Sequence, residues 1–257
     1  MKFIDTHSHI YSKEFDHDRK IVVEQAIESG VNKILLPNIS SKYTNKMLAI
    51  CKEFPSNCFP MMGLHPCDVK KETYNSEIEH VEEELNKSSY IGVGEIGIDL
   101  YWDKSNLSIQ KDAFIKQIKI AKKHKLPIVI HVRESFEETI KIVEELNDIN
   151  LSGVFHCFTG NLQDAERIIK LDDFYLGIGG VLTFKNSHMD KVIEKINEKH
   201  LLLETDAPYL TPTPFRGKRN ESKYILEIAK KLAEVKNLSL EEISKVTTIN
   251  AKNLFKI

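Results

Sequence analysis

Histidines and carboxylates that close short apolar runs are the residues in this sequence best suited to chemistry. The chain has only 10 histidines, yet several stand where a run rich in Ile, Val and Leu ends. The residues at these positions are His7, His9, His65, Glu95, His131, His156 and Asp206. Imidazoles combined with carboxylates suit a borderline divalent cation better than Ca²⁺, which prefers oxygen ligands. The pattern therefore predicts a metal site.

The first two histidines, His7 and His9, are separated by one residue. If the backbone there is extended, both imidazoles leave the same face of the strand and can bind one cation together. A single pair of this kind is also typical of surface or buried structural histidines. The prediction of a metal site therefore depends on the later positions.

The predicted ligands are too numerous for one tetrahedral ion. They are His7, His9, Glu95, His131, His156 and Asp206. We therefore expect two divalent ions, with Glu95 central enough to bridge them. Paired ions roughly 3.5–4 Å apart clamp the attacking and leaving oxygens in phosphoryl hydrolysis. Mixed sites of this kind accept Zn, Mn, Mg or Co, so the residues leave the metal's identity open.

Apolar runs alternate with charged, helically periodic segments along the chain. Eight runs predict strands, at residues 3–6, 33–37, 59–64, 91–95, 128–131, 153–156, 175–179 and 201–204. Amphipathic segments predict helices at 18–29, 77–86, 109–124, 136–147 and 189–197, and the chain from Tyr224 onward also reads as helical, with Ser239 as a cap. Strands joined by such crossovers are parallel. We expect a single-domain α/β protein, a (β/α)8 TIM-type barrel over residues 1–257, with an open α/β sheet as the alternative.

The composition and net charge indicate which partners and which cellular compartment to expect. The 257 residues carry a formal net charge of -2, which gives no general attraction to nucleic acid or to an anionic membrane. The four cysteines have no regular spacing and predict neither a disulfide framework nor a zinc knuckle. The first residues do not form the apolar run of a secretory signal, and no stretch approaches the ~20 apolar residues of a spanning helix. We therefore expect a cytoplasmic protein that does not enter a membrane.

Ordered motifs along nearly the whole chain resemble the TatD deoxyribonucleases, part of the wider amidohydrolase-like group. The motifs are Asp5-Thr6-His7-Ser8-His9, Gly63-Leu64-His65-Pro66, Gly94-Glu95-Ile96-Gly97-Ile98-Asp99, Ile130-His131, Phe155-His156-Cys157-Phe158-Thr159-Gly160, Leu203-Glu204-Thr205-Asp206-Ala207-Pro208-Tyr209-Leu210 and Arg216-Gly217-Lys218-Arg219-Asn220. The resemblance implies a TIM-type barrel, a divalent-metal site from the six matching ligands, and hydrolysis of DNA, often as a 3′→5′ exonuclease. Two positions depart from the family pattern, Cys67 in place of a second histidine and Ser222 in place of proline.

The expected reaction assigns roles to individual side chains. Asp206 and Glu95 are the predicted catalytic carboxylates, because Asp206 can orient a metal-bound water and accept its proton. We expect His65 to offset charge on the phosphate oxygens. Arg216, Lys218 and Arg219 are predicted to bind phosphate, although a solvated basic loop is the alternative.

Other residues near the motifs allow a functional or a structural interpretation. Glu204 could orient a ligand or be a buried hydrogen-bonded carboxylate. Tyr101 and Trp102 could stack on an unpaired base, or pack their loop against the barrel. Cys157 is interpreted as a small buried apolar residue.

Three functions fit these predictions to different degrees. A DNA nuclease acting on single-stranded or 3′ ends is favoured. A related barrel hydrolysing a small amide, lactone or phosphoester is the alternative, but such barrels typically use a carbamylated lysine where this chain has Glu95. A non-enzymatic scaffold fits poorly, because every predicted ligand is chemically competent.

Overall fold

Eight parallel strands form the centre of the molecule. The computed structural model describes residues 1–87 and 89–257. The strands of the described residues are β1 (Phe3–Asp5), β2 (Val31–Pro37), β3 (Cys58–Met61), β4 (Val93–Asp99), β5 (Ile128–Arg133), β6 (Gly153–Phe155), β7 (Phe174–Ile178) and β8 (Leu201–Leu203). Each overlaps one of the eight predicted strands, and every pairing is parallel.

Two runs of paired strands, β1 to β3 and β4 to β8, join into a closed ring. Between β3 and β4 the backbone N–H of Gly94 donates to the carbonyl of Met62 at 3.0 Å, beside a Met62–Val93 bridge. Between β8 and β1 the N–H of Asp206 donates to the carbonyl of His7 at 2.9 Å. Among the described strands these contacts leave no open edge, so the fold is the predicted (β/α)8 barrel rather than the open-sheet alternative.

Helices surround the strands. In the described residues they are α1 (Arg19–Glu28), α2 (Ser41–Glu53), α3 (Tyr74–Lys87), α4 (Leu107–His124), α5 (Phe136–Leu146), α6 (Leu162–Ile169), α7 (Met189–Ile193), α8 (Ile225–Lys236) and α9 (Leu240–Phe255). The predicted cap of the last helix is confirmed, since Ser239 and Glu242 form a reciprocal capping box. The helix predicted over 189–197 is shorter, ending at Ile193. Among described residues, none of these helices has the length and apolar character required to cross a bilayer.

A small apolar cluster fills the interior of the barrel and sets the direction of the side chains above it. It contains Val129 of β5, Val154 of β6 and Leu202 of β8, packed with Leu254 and Phe255 from the end of α9. Because side chains alternate across a strand, the residue two positions further along faces the same way. His131, His156 and Glu204 occupy those positions. The alternation of side chains along each strand thus places these polar side chains above the apolar cluster inside the barrel.

The fourth strand differs from its prediction. Glu95 was expected at its end, but β4 continues to Asp99 and Glu95 lies near its start. The pairing of β4 with β5 shifts between Val93 and Ile96, where three steps in β4 correspond to two in β5. An extra residue of this kind is a β-bulge, which redirects side chains and is common beside active sites. The expectation of a simple strand end at Glu95 was therefore wrong.

Candidate metal centre

Glu95 lies at the centre of the clustered histidines, and its side chain is buried. Its Oε2 is 3.2 Å from Nε2 of His7 and 3.3 Å from Nε2 of His9. Its Oε1 is 2.7 Å from Nδ1 of His131 and 2.9 Å from Nε2 of His156. The two carboxylate oxygens therefore face two separate groups of imidazoles, as a carboxylate bridging two cations requires.

Asp206 completes the group on the side of β1. Its Oδ1 is 3.5 Å from Nε2 of His9 and 3.7 Å from Nε2 of His7. The backbone of Asp206 has a φ of 58°, in the left-handed region that non-glycine residues rarely adopt. Backbone strain of this kind persists where the surrounding structure enforces it and is frequent at functional sites.

Three sets of side chains bring their ligand atoms within 4.8 Å of one another, close enough to hold a metal ion. They are His7, His9 and Glu95, then His7, His156 and Asp206, and finally His65, Glu95 and His131. All six predicted ligands are in these sets, together with His65. The tertiary structure therefore brings together residues that span 200 positions of the chain.

Tyr11 determines which nitrogen of His9 is available to a cation. The Tyr11 hydroxyl donates to the carbonyl of Pro37, so its single hydrogen is already used. Nδ1 of His9 lies 2.8 Å from the same hydroxyl oxygen and must therefore donate to it. When the ring is neutral, Nε2 of His9 therefore carries the lone pair, and it faces Glu95 and Asp206. The site therefore presents His9 to a metal in the correct tautomer.

Asp99 determines which nitrogen of His131 is available to a cation. Its Oδ2 lies 2.9 Å from Nε2 of His131. Burial raises the pKa of Asp99, but the hydrogen bond and charge of His131, with backbone hydrogen bonds from Tyr101 and Trp102, together outweigh burial. They bring the pKa to about 2, so the carboxylate is ionised at neutral pH. Nε2 of His131 therefore carries a proton, and Nδ1 is the nitrogen that can bind a cation beside Glu95.

The hydrogen bonds of His65 differ from those of His9 and His131, because they leave a hydrogen on the nitrogen that faces the cluster. Its Nδ1 accepts a hydrogen bond from the backbone N–H of Cys67 at 3.1 Å. Burial lowers the pKa of His65, so the ring is neutral near pH 7. In that tautomer Nε2 bears the hydrogen, and it points toward Oε1 of Glu95 at 3.3 Å. The contacts thus favour the predicted role in offsetting negative charge over a role as metal ligand.

The electrostatics of the cluster favour a cation. Burial raises the pKa of Glu95, but the surrounding histidines, with His156 contributing most, together outweigh burial and hold the pKa well below its usual value. Burial lowers the pKa of His9, yet hydrogen bonds to Asp206 and Glu95 outweigh it and raise the pKa to about 9. Nε2 of His7 also faces Nε2 of His9 at 3.1 Å, and both lie near the carboxylates of Glu95 and Asp206. Buried ring nitrogens and carboxylate oxygens so close together need a proton or a metal between them, so the residues fit a divalent ion.

The cluster lies in a cavity of about 700 Å³ at the end of the barrel where the strands finish. Among the residues of its wall are the predicted ligands His9, Glu95, His131, His156 and Asp206. Tyr43, Trp102, Arg133 and Tyr209 also line it. The volume is in the range of sites that bind small molecules or one or two residues of a polymer.

The model of the family described as TatD related DNase matches residues 4–256. The chain is 38% identical over 254 residues to an uncharacterized metal-dependent hydrolase of Bacillus subtilis, YabD, covering 98% of each chain. It is 30% identical over 259 residues to the metal-dependent hydrolase YjjV of Escherichia coli, covering 100% of this chain and 98% of the relative. The chain belongs to the TatD family of metal-dependent hydrolases.

Solved structures agree with this membership in the TatD family. The crystal structure of the TatD homologue YjjV from Escherichia coli superposes with a TM-score of 0.93 at 29% identity, covering 99% of this chain and 98% of the other. A TatD family hydrolase of Entamoeba histolytica, at 21% identity, shares the fold with a TM-score of 0.86 over 99% of this chain and 98% of the other. The resemblance expected from the motifs is therefore confirmed.

The basic segment of this TatD protein is engaged in contacts of its own. Arg219 makes two hydrogen bonds to Asp18, at 2.7 and 2.8 Å, and one to Glu221 at 2.9 Å. Arg216 lies 3.8 Å above the ring of Phe184. The described cavity wall includes neither of them, nor Lys218. For Arg219 the contacts favour a structural role, because its guanidinium is already paired.

The two departures from the family pattern occupy different environments. Cys67 is exposed and lines the cavity that contains the candidate metal centre. Ser222 is buried, and its hydroxyl donates to that of Ser8 at 3.3 Å. Only the first departure is therefore placed to affect substrate preference.

Glu204 and Cys157 meet beside the ligands. The backbone N–H of Cys157 donates to Oε1 of Glu204, and the same oxygen lies 3.4 Å from Nδ1 of His156. Glu204 is buried. It is hydrogen-bonded and also contacts the predicted ligand His156, so both interpretations of Glu204 agree with its contacts. Cys157 is half-buried and lines the cavity, although it was interpreted as buried.

Sequence reasoning did not single out Tyr11, Asp99 or Arg133 as functional. Asp99 contacts His131 of the neighbouring strand, so periodicity along one strand gives no signal for it. Tyr11 is two residues from His9, but its role depends on a hydroxyl contact with Pro37 that residue spacing does not predict. Arg133, two residues after His131, could have been found from strand alternation, which places it on the same face as that ligand.

Proposed function

We propose that this TatD protein is a nuclease that hydrolyses phosphodiester bonds of DNA, removing nucleotides in the 3′→5′ direction from single-stranded ends. The observation that carries the proposal is the position of Glu95 between two groups of imidazoles. Two sites sharing a carboxylate suit phosphoryl hydrolysis, where charge develops on the attacking and the leaving oxygens. The match to a family described as TatD related DNase supports DNA as the substrate.

We propose that two divalent ions, Zn, Mn, Mg or Co, bind here. His7, His9 and Asp206 would hold one, His131 and His156 the other, and Glu95 would contact both. When bound, the ions supply positive charge for the phosphate and lower the pKa of water to about 7. The four free cysteines, Cys51, Cys58, Cys67 and Cys157, support a reducing compartment, and we place the enzyme in the cytoplasm.

The side chains of the centre account for the proton transfers. Burial raises the pKa of Asp206, but its hydrogen bond with His9 and the charges of the neighbouring histidines together outweigh burial and keep the carboxylate ionised at neutral pH. Asp206 can therefore take a proton from the attacking water as the new P–O bond forms and the P–O3′ bond breaks. The Nε2 hydrogen of His65 faces Glu95 in the metal-free site and would turn toward a phosphate oxygen when Glu95 contacts the ions. The departing 3′-oxygen is protonated by solvent.

Cations outside the ligand set would hold the strand. Arg133 lines the cavity and is therefore a candidate for contact with a phosphate. Arg216 and Lys218 would contact the strand beyond the cavity. Arg219 would support that segment through Asp18 while offering little free hydrogen-bonding capacity.

The decisive experiment is a cleavage assay on defined oligonucleotides. Metal-stripped protein is reloaded with Mg²⁺, Mn²⁺, Zn²⁺ or Co²⁺ and given 5′-labelled single- and double-stranded DNA, with RNA alongside. We expect a ladder that shortens from the 3′ end, stops with EDTA, and disappears in His131→Ala and Asp206→Asn. His17→Ala, an exposed histidine outside the cluster, is the matched control and should cleave normally.

The same protein preparations are tested on an amide, a lactone and a small phosphoester. Turnover of one of these by metal-loaded protein that leaves all DNA and RNA intact would replace the nuclease by the alternative hydrolase. Internal cuts without progressive shortening would retain the nuclease but reject the 3′→5′ mode.

A further inference from the structure

We propose that Trp102 and Arg133 form a subsite at the mouth of the metal cavity that binds one unpaired nucleobase together with its phosphate. The proposal rests on the proposed function in that it takes the substrate to be a nucleic acid strand. It adds the residues that would select a single-stranded end.

Trp102 is an exposed aromatic side chain in a concave wall. It is 72% exposed, and it lines the cavity that contains Glu95 and His131. The adjacent Tyr101 is 48% exposed, and the two rings meet edge to face with centroids 4.9 Å apart. Packing of the loop against the barrel, the other reading of this pair, would have buried the indole. An open indole face in a cavity can instead stack on a base.

Arg133 provides the matching charge. Its guanidinium lies 3.7 Å from the ring centroid of Tyr101 and 5.6 Å from that of Trp102. Within the described part of the chain it has no ion pair and no side-chain hydrogen bond, whereas Arg167 and Arg219 are each paired with two carboxylates. Its planar set of donors is therefore free for a phosphate, while stacking on Tyr101 fixes its position.

The loop that carries the aromatics is fixed to the metal centre. Oδ1 of Asp99 accepts the backbone N–H of Tyr101 at 2.9 Å, and Gln110 bonds both the N–H and the carbonyl of Asp99. Oδ2 of the same carboxylate contacts His131. The aromatic platform is thus held in a defined position relative to a ligand. Such preorganisation reduces the entropy lost on binding.

The size and charge of the site favour a nucleotide as occupant. The aromatic surface amounts to one indole and part of one phenol ring, which matches a single base. A free guanidinium beside it matches one phosphate. Paired bases in a duplex are already stacked on their neighbours, so the subsite would take only an unpaired base.

Trp102 is the only tryptophan in the chain, so intrinsic fluorescence reports directly on the subsite. Metal-loaded protein is titrated with a four-residue phosphorothioate oligothymidylate, which resists hydrolysis. The matched probe is an abasic strand with the same length and charge. We expect quenching by the base-containing strand and none by the abasic strand at equal occupancy, with occupancy measured by anisotropy of a labelled strand.

A double-mutant cycle separates stacking from a general structural effect. Base–aromatic stacking predicts that Trp102→Ala weakens binding of the normal strand roughly five- to hundredfold and leaves binding of the abasic strand unchanged. Trp102→Phe should recover much of the loss. Arg133→Gln should weaken both strands, because it removes a phosphate contact. Ile149→Ala, an exposed apolar residue elsewhere, controls for lost surface area.

Two outcomes overturn the subsite. One is equal quenching by both strands at equal occupancy, and the other is a loss in Trp102→Ala that is the same for the abasic strand. If DNA is cleaved but either outcome is found, the nuclease stands and the subsite falls. If base-dependent quenching is found but no nucleic acid is cleaved, the subsite stands and the proposed reaction falls.

Discussion

Nε2 of His131 lies 2.9 Å from Oδ2 of Asp99, while Nδ1 of the same ring faces Glu95 at 2.7 Å. One imidazole is thus held between an orienting carboxylate and the carboxylate at the centre of the site. Because Asp99 is ionised, the proton of His131 is fixed on the side away from the cluster. The arrangement is the carboxylate–histidine pair that supports metal ligands in many enzymes.

Asp99→Asn should lower metal affinity about 10- to 100-fold, because an amide no longer fixes the tautomer of His131. Competition with a chelating dye, followed by metal analysis of the dialysed protein, measures the change. Asp103→Asn is the matched control, since Asp103 lies in the same loop and bonds only Ser105 in the described residues. Equal metal affinity in wild type and Asp99→Asn would contradict the assignment.

Tyr11→Phe should weaken metal binding through His9. Removing the hydroxyl leaves Nδ1 of His9 buried without its acceptor, at a cost of about 1–3 kcal/mol. The loss should appear both as a lower melting temperature and as lower metal affinity. Tyr74→Phe removes a hydroxyl that donates to Asp112 on the helical exterior, and it should leave metal affinity unchanged. A Tyr11→Phe protein that binds metal like wild type would show that Tyr11 does not orient His9 for metal binding.

Metal binding should strengthen as the pH rises toward 9. The pKa of His9 in the metal-free protein is raised to about 9, mainly by Asp206 and Glu95 acting against burial. A metal must displace this proton, so affinity should rise about tenfold per pH unit for each proton released. The sign is opposite for the metal-free fold, which gains stability from protonated His9 at low pH and loses it as pH rises through 9.

Calorimetry in buffers of different ionisation enthalpy counts the protons released. We expect at least one per site loaded between pH 7 and 9. A metal affinity that stays constant over this interval would show that His9 is neutral before binding.

Arg219→Ala should lower stability more than it lowers cleavage. Its guanidinium forms a two-pronged, partly buried pair with Asp18 and lies 4.4 Å from the ring of Phe15. Loss of this contact should destabilise the fold by about 1–2 kcal/mol, or a few degrees in melting temperature. Arg133→Ala should show the reverse pattern, with KM raised and thermal stability nearly unchanged. The reverse result for Arg219, a large rise in KM without destabilisation, would restore its predicted role in binding phosphate.

The sequence by itself predicted the barrel and the residues of the candidate metal centre. Strand and helix periods depend on local alternation of apolar and polar residues, so all eight strands were found. The candidate ligands could be predicted because the barrel brings the carboxyl ends of its strands to one rim. Chemically suitable residues in equivalent positions, such as His131 and His156, therefore had to meet.

Only the tertiary structure decided how those residues are used. The bulge that turns Glu95 inward depends on the pairing of β4 with β5. The tautomers of His9 and His65 depend on Tyr11 and on the backbone of Cys67, and Arg133 rather than Arg219 faces the cavity. Each of these arrangements depends on single hydrogen bonds and ion pairs between side chains and backbone groups. The local pattern of residue types does not show which of these groups will meet in the folded protein.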